Sequence, residues 1–196
     1  MSHLLDATLH LEARRAEHGF IYGLDTSLAH FGYAVATDFD GPLRFVACGV
    51  LTTKPDAKAK SKTDDNRRRF EGLANALWSL VRRHGPARNI CVEATAMPFG
   101  KTTSTVLSAL GRARGLVDAL AANLGLSAHE FQAQTLKKAV TGDRFADKAA
   151  VVAGVVRLYP ELGPLLEQLH AANREHAADA AASIHAFHHA ATTEEF

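Results

Sequence analysis

The 196-residue chain lacks any apolar run close to the roughly 20 residues that a membrane-spanning helix needs. Its opening stretch, MSHLLDATLHLEARRAEHG, lacks the continuous apolar segment of a signal peptide, and Asp6, Glu12 and Glu17 are at odds with a transit peptide. The expectation is a cytoplasmic protein. Cysteine is scarce: Cys48 and Cys91 are the only two, each inside an apolar, strand-like run, and no CxxC pair is present. Free buried thiols are expected, with a disulfide as the alternative, and the CxxC pattern of a metal site is missing. Charge of one sign is also missing, with a formal net charge of +1 and eleven histidines uncounted. Overall charge therefore does not point to nucleic acid. Internal repeats and low-complexity linkers are absent too.

What is present fills one domain. Hydrophobic residues make up 47% of the chain, enough for a substantial core. Locally, Lys54 to Arg69 holds seven Lys/Arg against three Asp, an excess of +4. This is either a solvated loop and helix start or a flank that touches phosphates. Leucines at 4, 5, 9 and 11 give residues 4–17 the spacing of a short amphipathic helix, so 1–18 reads as an N-terminal extension and 19–191 as the main domain.

Three strand-like runs follow at 20–25, 31–37 and 43–51, with short links that favour antiparallel pairing. Helical spacing of Phe70, Leu73, Leu77, Leu80 and Val81 predicts a helix over 62–84, stopped by His84-Gly85-Pro86. A strand at 89–94, a helix over 103–124 capped by Gly125, a strand at 127–132 and helices at 134–140, 146–158 and 174–190 complete the order. Pro160, Gly163 and Pro164 are read as chain breakers. The expected fold is α/β: a mixed five-stranded sheet flanked by helices.

Two strands end in an acid, Asp25 after Ile-Tyr-Gly-Leu and Glu93 after Ile-Cys-Val. The ends of adjacent strands are where α/β folds present reactive groups, and a carboxylate following buried residues calls for a cation. Either acid alone reads equally as a cap or an ion-pair partner. On the last helix, His176 and Asp179 lie three residues apart on one face, among Ala177, Ala178, Ala180, Ala181 and Ala182. Such small neighbours let a helix lie close to a sheet. His185 and His189, one turn apart, are either a transition-metal pair or part of a solvated helix end. Asp143 and Asp147 read as turn and first-turn acids.

The order of these pieces resembles the RuvC Holliday junction resolvases of the ribonuclease H-like superfamily. GLDTSLAHFGYAVAT (23–37) is similar to that family's first hairpin, LGRARG (110–115) to its LG-x-ARG helix, LKKAVTGDRFADK (136–148) to its Lys-bearing VTG segment, and EHAADAAASIHAF (175–187) to its terminal helix. The resemblance runs from about residue 20 to 190. It implies a structure-selective endonuclease of recombination and repair, in which Asp25, Glu93, His176 and Asp179 hold two Mg²⁺ or Mn²⁺ ions about 4 Å apart. An imidazole among the ligands would shift preference toward Mn²⁺. Lys137 and Lys148 match the family's basic positions near the scissile phosphate, and Lys138 stands beside the first; a solvated lysine is the plainer alternative for each. The resemblance further implies a homodimer acting on a four-way junction, and work alongside the RuvA and RuvB branch-migration proteins.

Departures bear on these expectations. Thr26-Ser27 replaces the family's Pro-Gly or Pro-Ser, and the first strand starts unusually late. The family's base-stacking aromatic follows the Glu closely, whereas here the nearest candidate is Phe99, in a longer loop. Rival readings are a phage-type RuvC-like nuclease acting on flaps and forks, and a non-catalytic junction binder. An ATP-binding protein of the actin and sugar-kinase fold is excluded, since it needs two copies of the Asp-containing loop and a longer chain.

Overall fold

The computed structural model describes residues 19–39, 41–94 and 104–193. The extension at 1–18 and Phe99 lie outside the described residues. Strands β1 (Phe20–Asp25), β2 (His30–Thr37) and β3 (Arg44–Thr52) form an antiparallel meander. Helix α1 (Lys62–His84) crosses to β4 (Ala87–Glu93), which pairs parallel to β1. Helix α2 (Ser104–Asn123) leads to β5 (Ala128–Phe131), parallel to β4. Then come α3 (Ala133–Thr141), α4 (Lys148–Leu158), α5 (Leu162–Glu167) and α6 (Ala171–Thr193). The sheet order is β3-β2-β1-β4-β5, the mixed five-stranded arrangement expected. Among the described residues, no helix is long and apolar enough to cross a membrane.

Alternation along the strands sorts the core into two layers. Tyr22, Leu24, Ile90 and Val92 face α1 and α2, where Leu73, Leu77, Val117 and Leu120 meet them. Ile21, Ala34, Ala36 and Cys91 face the other way, onto α3 to α6. Helix α6 lies directly on this second face. A Cβ at Gly23 would stand 2.0 Å from the Ala180 carbonyl oxygen, and one at Gly32 would stand 2.1 Å from that of His176. Backbone meets backbone there, which only glycine on the sheet allows, and the small alanines around Ala180 let the helix lie that close. Ala177, Ala178, Ala180 and Ala182 are accordingly fully buried.

The helix stops act as expected: Gly85 and Gly125 take positive φ, and the Leu126 N–H bonds back to the Ala121 carbonyl. Asp147 is the N-cap of α4, its carboxylate accepting from the Ala150 N–H at 2.8 Å. Two expectations need correction. Residues 162–167, read as broken by Gly163 and Pro164, form α5: Pro164 falls in the first turn, where the missing N–H has no helical partner to lose. Cys48 is only partly buried; Cys91 is fully so, and both are free.

Candidate active site

The parallel pairing of β1 and β4 sets Leu24 opposite Val92, so Asp25 and Glu93 end neighbouring strands at the same level. Leu24 and Val92 belong to the α1/α2 layer. By alternation both acids face α6. Asp25 also pairs with Gly32, the residue on which α6 rests at His176. The close helix–sheet approach thus delivers His176 to Asp25: its Nδ1 lies 2.6 Å from Asp25 Oδ2. Asp179, one turn on, interacts electrostatically with both Asp25 and Glu93. Three carboxyl groups and one imidazole from three elements that are distant in sequence share one place.

The loop after Asp25 is held without the family's proline. The Ser27 hydroxyl accepts from the Ala29 and His30 N–H groups at 3.3 Å each, and Thr53 Oγ1 donates to the Leu28 carbonyl. Arg69, buried, donates in turn to Thr53 Oγ1 at 2.9 Å. Part of the basic 54–69 segment therefore supports this loop: Arg68 and Arg69 also pair with Asp65, while Lys54, Lys58, Lys60 and Lys62 remain exposed.

The electrostatics are those of an anionic cluster short of positive charge. Burial, then the carboxylates of Asp179 and Asp25, push the Glu93 carboxyl up to about 7. Burial and Asp25 push Asp179 up to about 6. The hydrogen bond to Asp25 raises the His176 imidazole above its ordinary value. The nearby cations, Lys137 toward Glu93 and Lys148 toward Asp179, offset this only in part. A divalent cation is the group such a donor set fits: hard oxygen ligands, partly desolvated, repelling one another. Among the described residues, however, no three such side chains already stand at ligating distances around one point. Asp25 is turned to His176 instead, so the imidazole occupies the carboxylate that a metal would claim.

Lys148 opens α4 beside the cluster and pairs with Glu175, the neighbour of His176 on α6. Lys137 is half-buried on α3, while Lys138, about 100° further round the helix, is exposed.

Comparison with known proteins shows the family. The family model described as "Crossover junction endodeoxyribonuclease RuvC" matches residues 21–187. The chain belongs to the RuvC family. Crossover junction endodeoxyribonuclease RuvC of Zymomonas mobilis is 33% identical over 168 residues, covering 86% of this chain and 90% of that protein. RuvC of Roseiflexus sp. is 34% identical over 126 residues, 64% of this chain and 68% of the relative. In fold, the chain is similar to Thermus thermophilus RuvC in complex with a Holliday junction substrate, with a TM-score of 0.67 at 21% identity, covering 90% and 97% of the two chains. The yeast mitochondrial Holliday junction resolvase Ydc2 gives 0.57 at 12% identity, covering 95% and 90%. The RuvC family is one of metal-dependent nucleases, in keeping with the anionic cluster.

Within this RuvC fold some features escaped the sequence. Glu175, which holds Lys148, carries no signal beyond its place beside His176. His30 stacks parallel on the His176 ring, centroids 5.6 Å apart, because its strand start faces the same helix. His185 is neither a metal ligand candidate nor solvated. It is buried, with Nδ1 2.8 Å from the Tyr159 hydroxyl and Nε2 3.2 Å from the Ala139 carbonyl, so both ring nitrogens are engaged.

Proposed function

We propose that this chain is a structure-selective endonuclease that resolves Holliday junctions in DNA recombination and repair, through a metal centre held by Asp25, Glu93, His176 and Asp179. One observation carries the reading. Asp25 and Glu93 end adjacent parallel strands and face the helix bearing His176 and Asp179, with Glu93 and Asp179 both raised by burial and by neighbouring carboxylates. The proposed occupants are two Mg²⁺ ions, or Mn²⁺; bound there, they would lower the pKa of a water for in-line attack on a phosphodiester and stabilise the leaving 3′ oxygen.

The protein's own groups prepare that chemistry. With the ions bound, Asp25 would leave its hydrogen bond to His176 to serve as a ligand, His176 would serve in its neutral form, and Glu93 and Asp179 in their ionised forms, so loading would be favoured as pH rises. Lys137 and Lys148 meet the phosphate on either side, Lys148 from the first turn of α4, where backbone N–H groups also favour an anion. Glu175 sets the direction of the Lys148 side chain.

Residues 19–191 form the nuclease domain in this proposal, and two copies act together. Paired cuts across a near two-fold junction call for a homodimer. Helix α2, with Val106 and Leu107 exposed near its start, is the proposed contact.

The test compares cleavage of a mobile four-way junction, a flap and a linear duplex by the native protein and by Asp25→Asn. The native protein should cut the junction fastest. The variant should bind it and cut at least about a hundredfold more slowly, as expected when a metal ligand is removed. Full activity in Asp25→Asn sinks the mechanism; equal cutting of flap and junction replaces junction selectivity with broader branched-DNA action.

A further inference from the structure

One residue near this site has no place in the reading so far. Phe145 is 69% exposed, the only aromatic among the large hydrophobic residues that the described part of the chain exposes. A single exposed hydrophobic residue is ordinary. This one is set apart by how firmly it is presented and by what surrounds it.

The turn that carries it is closed by four hydrogen bonds. Thr141 Oγ1 donates to the Lys137 carbonyl at 2.7 Å and accepts from the Asp143 N–H at 3.0 Å. Asp143 Oδ1 accepts from the Phe145 N–H at 2.8 Å, and the Ala146 N–H reaches the Asp143 carbonyl at 3.3 Å. Gly142 takes the left-handed conformation that the turn needs, and Ala146 is buried on its far side. The ring is thus pushed into solvent by a rigid support. Arg144 lies over it, its guanidinium carbon 4.5 Å from the ring centroid. On either side in the chain stand Lys137 and Lys148, the two cations that act on the carboxylate cluster.

An aromatic face topped by a guanidinium and flanked by lysines matches an unpaired nucleobase better than it matches protein. A base stacks on both flat groups, while its phosphates meet the lysines. Three residues of chain span at most about 11 Å, which keeps the Phe145 backbone within roughly three nucleotides of the phosphate that Lys148 would meet. In a continuous duplex every base is already stacked. At a branch point the stack is interrupted, so a base beside it is more easily displaced than one inside a duplex. We propose that Phe145, with Arg144, stacks on a base displaced at the branch within a few nucleotides of the cut, and so helps select branched DNA over duplex. This rests on the nuclease reading above.

The experiment measures binding to a four-way junction carrying 2-aminopurine at each of the three nucleotides on either side of the cut, in EDTA so that nothing is cleaved. It compares the native protein with Phe145→Ala, Phe145→Tyr and Arg144→Ala, and records sedimentation of each. The native protein should quench one probe position. Phe145→Ala should lose that quenching and bind the junction about 5- to 100-fold more weakly, with duplex binding unchanged. Phe145→Tyr should restore both, and Arg144→Ala should fall between. Junction affinity and quenching unchanged in Phe145→Ala, alongside a native protein that binds and cuts junctions, overturns this proposal alone. An equal loss on duplex overturns it as well, as does a weakening that tracks conversion of dimer to monomer. A native protein that neither binds nor cuts junctions removes the nuclease reading and this proposal with it.

Discussion

Replacing Glu93 by glutamine should raise the stability of the metal-free protein relative to the native one as pH goes from 5 to 8, while abolishing its cutting. Burial and the neighbouring Asp179 and Asp25 carboxylates raise Glu93 from its ordinary 4.5 to about 7. Below pH 4.5 the group is protonated in both the folded and the unfolded chain. Between 4.5 and 7 the folded state binds more protons than the unfolded one, so stability falls as pH rises. Above 7 the loss is complete. A shift of that size corresponds to about 3 kcal/mol at most, less whatever repulsion the neighbours redistribute among themselves. Glutamine keeps the shape and does not titrate, so any constant cost of burying its amide is the same at every pH. The histidines that burial shifts the other way, His84, His129 and His185, are common to both proteins and cancel in the comparison. Thermal unfolding in EDTA, followed by circular dichroism at pH 5 and pH 8, measures the effect. The variant's Tm relative to the native protein should rise by about 3–12 °C between the two values, taking about 1.5–3 kcal/mol and 2–4 °C for each. Added Mg²⁺ should raise the Tm of the native protein at pH 8 more than that of the variant, because the cation relieves the same repulsion. A Tm difference that stays level between pH 5 and pH 8, or that narrows toward pH 8, refutes the idea of an anionic cluster awaiting a cation.

The site also predicts an acid limit to activity. His176 is raised above its ordinary 6.5 by Asp25, and it must be neutral to ligate a metal, so kcat/KM should begin to fall with decreasing pH already above 6.5. His176→Asp should move that limb to lower pH, and an unchanged profile removes the ligand role. Gly32→Ala places a Cβ 2.1 Å from the His176 carbonyl oxygen, so it should destabilise by about 3 kcal/mol and lower Tm by about 6–12 °C, measurable by calorimetry. A neutral result there contradicts the backbone contact that aims His176. Lys148→Ala should weaken junction binding and lower the salt slope of the binding constant by about one, in titrations between 50 and 200 mM salt. An unchanged slope means Lys148 touches no phosphate.

Much of this was legible in the chain. Strands ending in Asp25 and Glu93 announced themselves because a buried run that stops at an acid is a local pattern. The terminal helix did so because its alanines leave His176 and Asp179 conspicuous. What was lost fell where local cues mislead. Pro164 and Gly163 read as breakers, although a first helical turn tolerates both. His185 read as solvated near the end of an alanine helix, yet Ala139 of α3 and Tyr159, just after α4, engage both its nitrogens. The pairing of Lys148 with Glu175 joins residues 27 apart, and no periodicity reports such a contact.

By itself, then, the sequence determined the five strands, most of the helices, the four residues proposed for the site and the family the chain belongs to, because period, caps and motif order are properties of neighbouring residues. Only the tertiary structure decided how those residues meet. The depth at which α6 rests on Gly23 and Gly32 brings His176 against Asp25. The parallel register of β1 and β4 sets Asp25 beside Glu93. The burial that results raises Glu93 and Asp179 together. Each depends on distances between segments far apart in the chain, and such distances are set by packing.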